Sequence, residues 1–248
     1  MKKTRSGRER LDDALVRRQL CETRDEAHRL IMAGSVLVND TPSTKAGTTI
    51  ALNAQLRLRR KSATFVSRAG DKLEGALSAF AVDVAERTCL DLGASTGGFT
   101  DCLLRRGARK VYSVDVGTNQ LVYQLRTDPR VVCLERTHAN KLTPELVPEP
   151  IEILVVDVSF TSLRYVLPFA WPLLAKDAWA VCLFKPQFEV ARHQVRPGGM
   201  VEEKAALAAL ENFKSWLVEQ AVTLVDVMKS PVKGRDGNQE YLFKLLHI

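Results

Sequence analysis

Residues 90–100 limit what this chain can fold into more than any other stretch. Apolar residues lead into a turn rich in glycine, and the turn leads into the apolar spacing of a helix. A second apolar run, 111–114, ends at Asp115, which lies 22 residues after Gly93. In a strand–helix–strand unit of this length, an acid that ends the second strand accepts hydrogen bonds from ribose hydroxyls. The spacing therefore predicts a parallel α/β unit that binds a nucleoside.

The order of residues in the turn separates two kinds of ligand. A dinucleotide-binding turn has the pattern G-x-G-x-x-G, and its middle glycine lets the backbone approach a pyrophosphate. Here that middle position is Ser95, and the paired glycines Gly97 and Gly98 come later. S-adenosylmethionine has no phosphate, so it does not need the middle glycine. The turn therefore favours S-adenosylmethionine as cofactor, and for the turn taken alone an ordinary tight strand-to-helix connection is the alternative.

The rest of the C-terminal part alternates between strand-like and helix-like segments, which predicts a parallel, doubly wound sheet. The last two strands are joined by a short loop that contains glycine, and this predicts an antiparallel hairpin at the sheet edge. The expected class is α/β, with the Rossmann-like sheet that is typical of class I methyltransferases. The predicted strands are 88–93, 110–115, 131–134, 151–157, 179–184, 222–229 and 240–246, and the predicted helices are 73–80, 98–106, 118–126, 162–174 and 203–220.

The positive charge of the chain is concentrated near its N-terminus. Residues 1–61 carry 14 Lys or Arg against 7 Asp or Glu, whereas the remaining residues carry 22 of each sign. This segregation predicts a small module that binds a polyanion, joined by a linker at 62–67 to a neutral domain at 68–248. A solvated basic arm is the alternative, but the segment has a folded pattern of its own.

The N-terminal segment has the pattern of a small α+β module. Thr23 and Glu26 have the spacing of a capping box, which predicts a helix that ends at Gly34. An earlier short helix fits residues 11–20, and short strands fit the apolar residues after Gly34. Asp40 stands where a turn glycine is usual, and aspartate tolerates the same backbone.

This module resembles the S4-type RNA-binding domain. The resemblance rests on Arg10-Leu11-Asp12, Thr23-Arg24 with Ala27, Gly34-Ser35-Val36-Leu37-Val38-Asn39, and Lys45. Such domains read the shape of structured RNA, with affinity dominated by contacts from Arg and Lys to phosphates. For each cation taken singly, a solvated surface charge is the alternative. The candidate RNA contacts are Arg10, Arg18, Arg24, Arg29 and Lys45.

Four charged residues of the C-terminal part stand where the predicted fold opens towards a ligand. Asp157 and Lys185 each directly follow an apolar strand, which places them at the ligand-binding edge of the sheet. Lys72 lies on the helix that leads into the fold, and Glu240 follows a loop punctuated by glycines. Each residue alone fits an ordinary exposed charge. In this order they match the Lys-Asp-Lys-Glu tetrad of RNA ribose 2′-O-methyltransferases of the FtsJ type.

More narrowly, the chain resembles the haemolysin A family of ribosomal RNA methyltransferases. The matching segments are 67–73, 91–101, 157–160, 185–189 and 237–240. The resemblance implies that Lys72, Asp157, Lys185 and Glu240 are catalytic and that S-adenosylmethionine is the cofactor. It implies methyl transfer to a cytidine ribose 2′-hydroxyl of ribosomal RNA, or of a ribosomal subunit, and the compact chain resembles forms that act on 23S RNA. The implied cofactor-binding residues are Asp91, Gly93, Ala94, Ser95, Gly97, Gly98, Phe99, Asp115 and Asn140.

These residue types suit the implied chemistry. A ribose 2′-hydroxyl is a poor nucleophile near pH 7, so it needs a positioned base and a cation that stabilises the developing alkoxide. Lys185 is the candidate to contact the 2′-oxygen, either as a base after its pKa has been lowered by Lys72 or burial, or as a fixed positive charge. The His and Cys residues lack the spacing of metal ligands, and we expect no metal.

Other functional classes fit the sequence less well. The N-terminus lacks an apolar signal segment and no uncharged run approaches the ~20 residues that span a bilayer, which predicts a cytoplasmic protein and disfavours a haemolytic activity. A non-catalytic RNA-binding assembly factor is a further alternative, but all four tetrad positions are filled. A nicotinamide oxidoreductase is disfavoured by Ser95. Residues 188–200 have few apolar anchors and are either a mobile gating loop or an exposed connection. The sequence does not predict an oligomeric state.

Overall fold

A computed structural model of the protein describes residues 7–32, 34–58, 65–234 and 236–246. The chain forms two compact units, Met1–Ala63 and Thr64–Ile248. Residues 62–64 of the predicted linker lie outside the described residues.

In its described residues, the N-terminal unit consists of two helices and two small sheets. In one sheet β2 pairs with β3 and β5, and in the other β1 pairs with β4. The helices bury Leu11, Leu15 and Ile31 completely, so the unit has a core of its own. The elements are β1 (Arg8–Arg10), α1 (Leu11–Arg17), α2 (Arg24–Met32), β2 (Val36–Val38), β3 (Thr41–Ser43), β4 (Thr49–Ala51) and β5 (Leu56–Leu58).

Local contacts in this unit confirm the expected turn at Asp40 and modify the expected capping box of α2. The β2–β3 turn holds Asn39 at φ 50° and Asp40 at φ 62°, so aspartate adopts the turn backbone that glycine usually supplies. At the start of α2, Thr23 Oγ1 accepts from the Glu26 N–H at 3.2 Å, as a capping box requires. The Glu26 carboxylate accepts from the Glu22 N–H at 2.9 Å, one residue before the position that a capping box predicts.

A seven-stranded sheet with helices on both faces forms the C-terminal unit. Its order is β11-β12-β10-β9-β6-β7-β8, and β12 runs in the direction opposite to the other six strands. The strands are β6 (Thr88–Leu92), β7 (Lys110–Val114), β8 (Val131–Leu134), β9 (Ile151–Val156), β10 (Leu174–Phe184), β11 (Thr223–Lys229) and β12 (Tyr241–Leu246). The helices are α3 (Arg68–Ala79), α4 (Gly98–Arg105), α5 (Tyr123–Arg126), α6 (Leu163–Ala170), α7 (Pro186–Glu189) and α8 (Glu203–Glu219).

The sheet is buried on both faces, which explains the unbroken apolar runs of its central strands. In β9, Leu154 and Val156 pack into the core on one face, and Ile153 and Val155 pack into the core on the other. The predicted α/β class and the antiparallel hairpin of β11 and β12 are confirmed. Because β12 is antiparallel, its first residues lie at the same edge as the last residues of the parallel strands.

Three predicted helices are wrong in extent. The helix predicted at 73–80 begins earlier, at Arg68, and ends at Ala79. Residues 118–122 are a loop, because the Glu135 carboxylate accepts the N–H groups of Asn119, Gln120 and Leu121, and only α5 remains of the helix predicted at 118–126. The helix predicted at 162–174 ends at Ala170, and β10 begins at Leu174 instead of 179. A register shift in β10 between Leu174 and Trp179 accommodates the early start.

Candidate active site

The turn after β6 is held tightly between two neighbouring strands. The N–H groups of Gly93 and Ala94 both donate to the Val114 carbonyl, at 2.9 and 3.0 Å. Gly93 has a φ of 87°, and a Cβ at this position would lie 2.5 Å from the Asp157 carbonyl oxygen. The first glycine of the turn is therefore required both by backbone conformation and by the close approach of the end of β9.

Gly98 brings the helix after the turn against α3. A Cβ at Gly98 would lie 2.9 Å from the Gly70 nitrogen and would also collide with the Ser67 hydroxyl. Ser67 caps α3 by accepting from the Ala69 N–H at 3.3 Å. The missing side chain of Gly98 thus sets the position of the helix that carries Lys72.

A cavity of about 480 Å³ opens at the carboxyl ends of β6, β7 and β9. The strand order reverses between β6 and β9, and ligands of doubly wound sheets bind at such a point. The volume lies in the range of pockets for small molecules and cofactors. At its edge the Asp115 carboxylate accepts the N–H groups of Ser95 and Gly117, at 2.8 and 2.7 Å. These bonds fix the direction of the carboxylate while leaving lone pairs for a ligand.

The cavity divides the predicted cofactor residues into two groups. Gly93, Ser95, Asp115 and Asn140 line it. The others build the turn and the start of α4 and do not line it; they are Asp91, Ala94, Gly97, Gly98 and Phe99. Sequence analysis assigned no role to several further lining residues, among them Gln120, Thr137, His138, Thr161 and Tyr165. The only sequence feature that could have identified them is that they follow β7, β8 and β9, at the same edge of the sheet.

Asp91 is a buried carboxyl group beneath the turn. Its Oδ2 accepts from the Thr100 hydroxyl at 2.6 Å, and Thr100 also bonds Ser113 at 2.7 Å. Its Oδ1 is without a hydrogen-bond partner among the described residues. Burial raises the pKa of Asp91 to about 7, opposed by the Thr100 bond and reinforced by the negative charge of Asp157.

Asp91 makes the stability of the fold depend on pH. Between pH 6 and 8 the folded protein loses a proton that the unfolded chain, with an ordinary aspartate, has already lost, so stability falls as pH rises. We expect the free energy of unfolding to fall by about 1 kcal/mol more over this range in the wild type than in Asp91→Asn. Urea unfolding at pH 6, 7 and 8 measures the free energy of unfolding of both proteins. Equal pH dependences would contradict the raised pKa of the buried Asp91.

Two ion pairs bring the predicted tetrad together at the same edge. Lys72 Nζ lies 2.5 Å from Glu240 Oε2, and Lys185 Nζ lies 2.5 Å from Asp157 Oδ1. All four side chains are at most 14% exposed. Burial raises the pKa of Glu240, and Lys72 and Lys185 oppose that rise while Asp157 adds to it. The charges of both ion pairs therefore influence the Glu240 carboxylate.

Residues around the tetrad fix its members further. The Lys185 ammonium also donates to Ser159 Oγ at 3.0 Å. A Cβ at Gly234 would lie 2.6 Å from Glu240 Oε1, so this glycine leaves room for the carboxylate. The Asn238 side chain is buried and joins the loop before β12 to Gly199 O and Val201 N, at 2.8 and 3.0 Å. These contacts tie part of the exposed segment 188–200 to the tetrad.

An exposed aromatic ring stands beside the tetrad. Phe160 is 91% exposed and has a φ of 64°, and its ring centroid lies 5.4 Å from that of Phe188. The Lys185 ammonium lies 5.9 Å from the Phe188 ring. Sequence analysis gave Phe160 no separate role, because a single aromatic residue after a strand carries no distinguishing signal.

The predicted RNA contacts of the N-terminal unit differ in what they can offer a ligand. Arg10 and Arg24 bond the buried Asp12 carboxylate, Arg10 through two nitrogens at 3.0 and 2.7 Å and Arg24 at 3.4 Å. Arg18 is directed inward to Glu9 and to the carbonyls of residues 52 and 54. Arg29 and Lys45 are exposed. Neither has an ion pair or a side-chain hydrogen bond with any described residue.

Two further structural features bear on function. Among the described residues, no helix is long and apolar enough to cross a membrane. The same part of the chain contains no group of three His, Cys, Asp or Glu residues arranged for a metal ion.

The strand order, the glycine turn and the cavity at the switch point define the fold of class I methyltransferases. A family model described as FtsJ-like methyltransferase matches residues 65–246, and an S4 domain model matches residues 9–56. The chain therefore belongs to the FtsJ-like methyltransferase family, with an S4 domain at its N-terminus.

Known proteins resemble almost the whole chain. The 16S/23S rRNA (cytidine-2'-O)-methyltransferase TlyA of Mycobacterium tuberculosis is 45% identical, over 96% of this chain and 90% of its own length. Hemolysin A of Brachyspira hyodysenteriae is 40% identical, over 94% and 98%. A solved structure from Streptococcus thermophilus, whose name includes the word hemolysin, is 38% identical with a TM-score of 0.76 and covers 97% of this chain and 89% of its own. These matches confirm the resemblance to the haemolysin A family.

Proposed function

We propose that the protein transfers a methyl group from S-adenosylmethionine to a cytidine ribose 2′-hydroxyl of ribosomal RNA, with 23S RNA as its substrate. The observation that carries the proposal is the placement of two buried ion pairs beside a nucleoside-sized cavity at one edge of the sheet. The M. tuberculosis relative is named for the same reaction on both ribosomal RNAs.

The cavity suits S-adenosylmethionine. Asp115 would accept hydrogen bonds from the ribose hydroxyls, and the turn at Gly93 and Ser95 would take the part of the ligand nearest β6. When bound, this cofactor supplies a methyl group that its sulfonium charge has already activated. Apolar and aromatic residues of the lining, among them Leu92 and Tyr165, would exclude water from one side of the ligand.

The tetrad suits a hydroxyl that must become a nucleophile. An ammonium has three N–H donors, and Lys185 gives one to Ser159 Oγ, while its charge is paired with Asp157 Oδ1 at 2.5 Å. An N–H group that Ser159 does not use is available to the 2′-oxygen, where the positive charge stabilises the negative charge that develops. Lys72 and Glu240 form the second pair, which keeps the group neutral as a whole and holds its members in place.

The N-terminal unit suits an RNA substrate. Arg29 and Lys45 are free to contact phosphates, and Asp12 holds Arg10 and Arg24 in fixed directions at the surface. Phosphate contacts of this kind dominate the affinity of proteins for structured RNA. The exposed ring of Phe160 offers a surface on which an unstacked base can pack beside the tetrad. A non-catalytic assembly factor would need the S4 domain but not the buried tetrad.

Transfer of labelled methyl groups tests this function. The protein is incubated with labelled S-adenosylmethionine and, separately, with unmodified 16S RNA, 23S RNA and the two isolated ribosomal subunits. Nucleoside mass spectrometry then locates the label, which we expect on the ribose of a cytidine from 23S RNA. Label on 16S RNA as well would extend the substrate to both RNAs. Absence of transfer to any of them, with cofactor binding measurable by calorimetry, would contradict the proposal.

A further inference from the structure

Glu189 connects two strand-end segments that carry the tetrad. It is the last residue of α7, the short helix that starts directly after Lys185. Its carboxylate accepts the Ser162 hydroxyl at 2.6 Å and the Leu163 N–H at 2.7 Å. Both donors belong to the start of α6, at the far end of the segment that begins with Asp157. Burial raises the pKa of Glu189, and these two bonds oppose that rise.

The segment 158–162 has few other anchors. Before it, the Asp157 N–H donates to the Leu92 carbonyl at 2.9 Å, and after it, the Leu163 N–H donates to Glu189. Among the described residues, no backbone N–H from 158 to 162 donates to a protein group. Phe160, in the middle, has a positive φ. The Glu189 carboxylate therefore fixes the C-terminal end of a segment that is otherwise held by side chains.

The same segment holds the Lys185 ammonium. Asp157 Oδ1 and Ser159 Oγ lie 2.5 and 3.0 Å from Lys185 Nζ. The segments 157–163 and 185–189 are thus joined at both ends, by Lys185 at one end and by Glu189 at the other. The Phe160 and Phe188 rings meet between these two connections.

We propose that Glu189 is a positioning residue for methyl transfer, whose carboxylate fixes the segment 157–163 so that Asp157 and Ser159 hold the Lys185 ammonium in place. This inference rests on the proposed function. A carboxylate accepts both donors at once. Glutamine can keep the contact with Ser162 by donating to its hydroxyl, whereas methionine has no oxygen and removes both bonds. Small displacements of a catalytic group cost large factors in rate, because catalysis depends on alignment.

A purely structural role predicts a different result. Ser162 Oγ also accepts the Arg164 N–H at 3.1 Å, so α6 keeps its own N-cap when Glu189 is replaced. Loss of stability alone would lower the fraction of folded enzyme and leave the turnover per folded molecule unchanged. Loss of alignment lowers that turnover while the affinity for RNA, which the S4 domain supports, stays the same.

The experiment uses the full-length protein with the RNA that the wild type methylates. For Glu189→Met, which removes both acceptors, we expect kcat per folded molecule to fall about tenfold or more, with KM for RNA changed less than about twofold. Ser159→Ala and the variant that carries both substitutions complete a double-mutant cycle. If Glu189 acts through the contact of Ser159 with Lys185, the double variant is about as slow as the slower single variant. The control is Glu202→Gln, which removes an exposed carboxylate paired with Arg196 and should leave kcat unchanged.

The outcomes separate this inference from the function on which it rests. Absence of methyl transfer by the wild type overturns both. Transfer by the wild type with a normal kcat for Glu189→Met, or single effects that multiply in the double variant, overturns the positioning role alone. If Glu189→Met fails to fold, Glu189→Gln can donate to the Ser162 hydroxyl in place of accepting from it and is the milder variant. A smaller reduction of kcat and the same cycle with Ser159→Ala are then expected, and a normal kcat overturns the positioning role.

Discussion

Methyl transfer by Lys185→Met should fall by about 100-fold or more, with cofactor affinity nearly unchanged. Methionine keeps the length of the side chain and removes the ammonium that contacts Asp157 and Ser159. Lys185 does not line the cofactor cavity, so the ligand keeps its contacts. Single-turnover transfer at saturating RNA measures the rate, and calorimetry with S-adenosylmethionine measures the affinity.

The matched control is Lys214→Met on α8. Lys214 pairs with Glu211 at 2.8 Å on the surface, so this variant also deletes an ammonium in an ion pair but does so away from the tetrad. Its transfer rate should equal that of the wild type. Because Lys185→Met leaves the Asp157 carboxylate without its ion-pair partner, urea unfolding accompanies the assay. A folded Lys185→Met enzyme with normal transfer would remove Lys185 from the chemistry.

The place of three tetrad members at the sheet edge could be predicted from sequence because they occupy strand boundaries, whereas the catalytic role of all four was implied only by the family resemblance. Asp157 and Lys185 follow β9 and β10 directly, and boundaries between apolar strands and charges are visible without a structure. Glu240 could be placed at the same edge once β12 was expected to form a hairpin with β11. Lys72 depended on the family resemblance, since nothing in its own segment shows that α3 brings it to Glu240.

Part of the cavity lining could be predicted from the strand-to-helix turn itself, whereas Asn140 depended on the family resemblance. Gly93 and Asp115 belong to the turn and strand end that define the motif. His138 reaches the cavity from the loop after β8 and Tyr165 from the first turn of α6, and the placement of both depends on tertiary contacts. The segment 118–122 illustrates the reason. It has a helical pattern but forms a loop, because its backbone donates three hydrogen bonds to Glu135, which lies directly after β8.

Charge counting has a similar limit in the N-terminal unit. The excess of cations predicts a unit that binds polyanions, but it does not say which cations are free. Arg18 is used within the unit by Glu9 and two carbonyls, whereas Arg29 and Lys45 have no side-chain partner among the described residues. Side-chain partners of this kind come from residues that lie far apart in sequence, such as 18 and 54.

Gly93→Ala should cause a large loss of stability, although it adds only a single methyl group. The residue has a φ of 87°, which costs a residue with a Cβ about 1–2 kcal/mol. The added Cβ would also stand 2.5 Å from the Asp157 carbonyl oxygen, a backbone atom at the end of a buried strand. Overpacking of this kind adds about 1–3 kcal/mol, so we expect a total loss of about 2–5 kcal/mol in the free energy of unfolding.

A comparison with Gly198→Ala separates the cost of the positive φ in Gly93→Ala from the cost of its steric clash. Gly198 has a nearly identical φ of 86°, but a Cβ there would meet no atom within 4 Å, so it should lose only about 1–2 kcal/mol. In Gly93→Ala the clash also displaces the Asp157 carbonyl, and with it the carboxylate that holds Lys185. Methyl transfer per folded molecule should therefore fall along with stability, as urea unfolding and single-turnover assays of both variants will measure. Equal stability losses in the two variants would show that the turn yields to the methyl group, and that its contact with β9 does not set the geometry of the site.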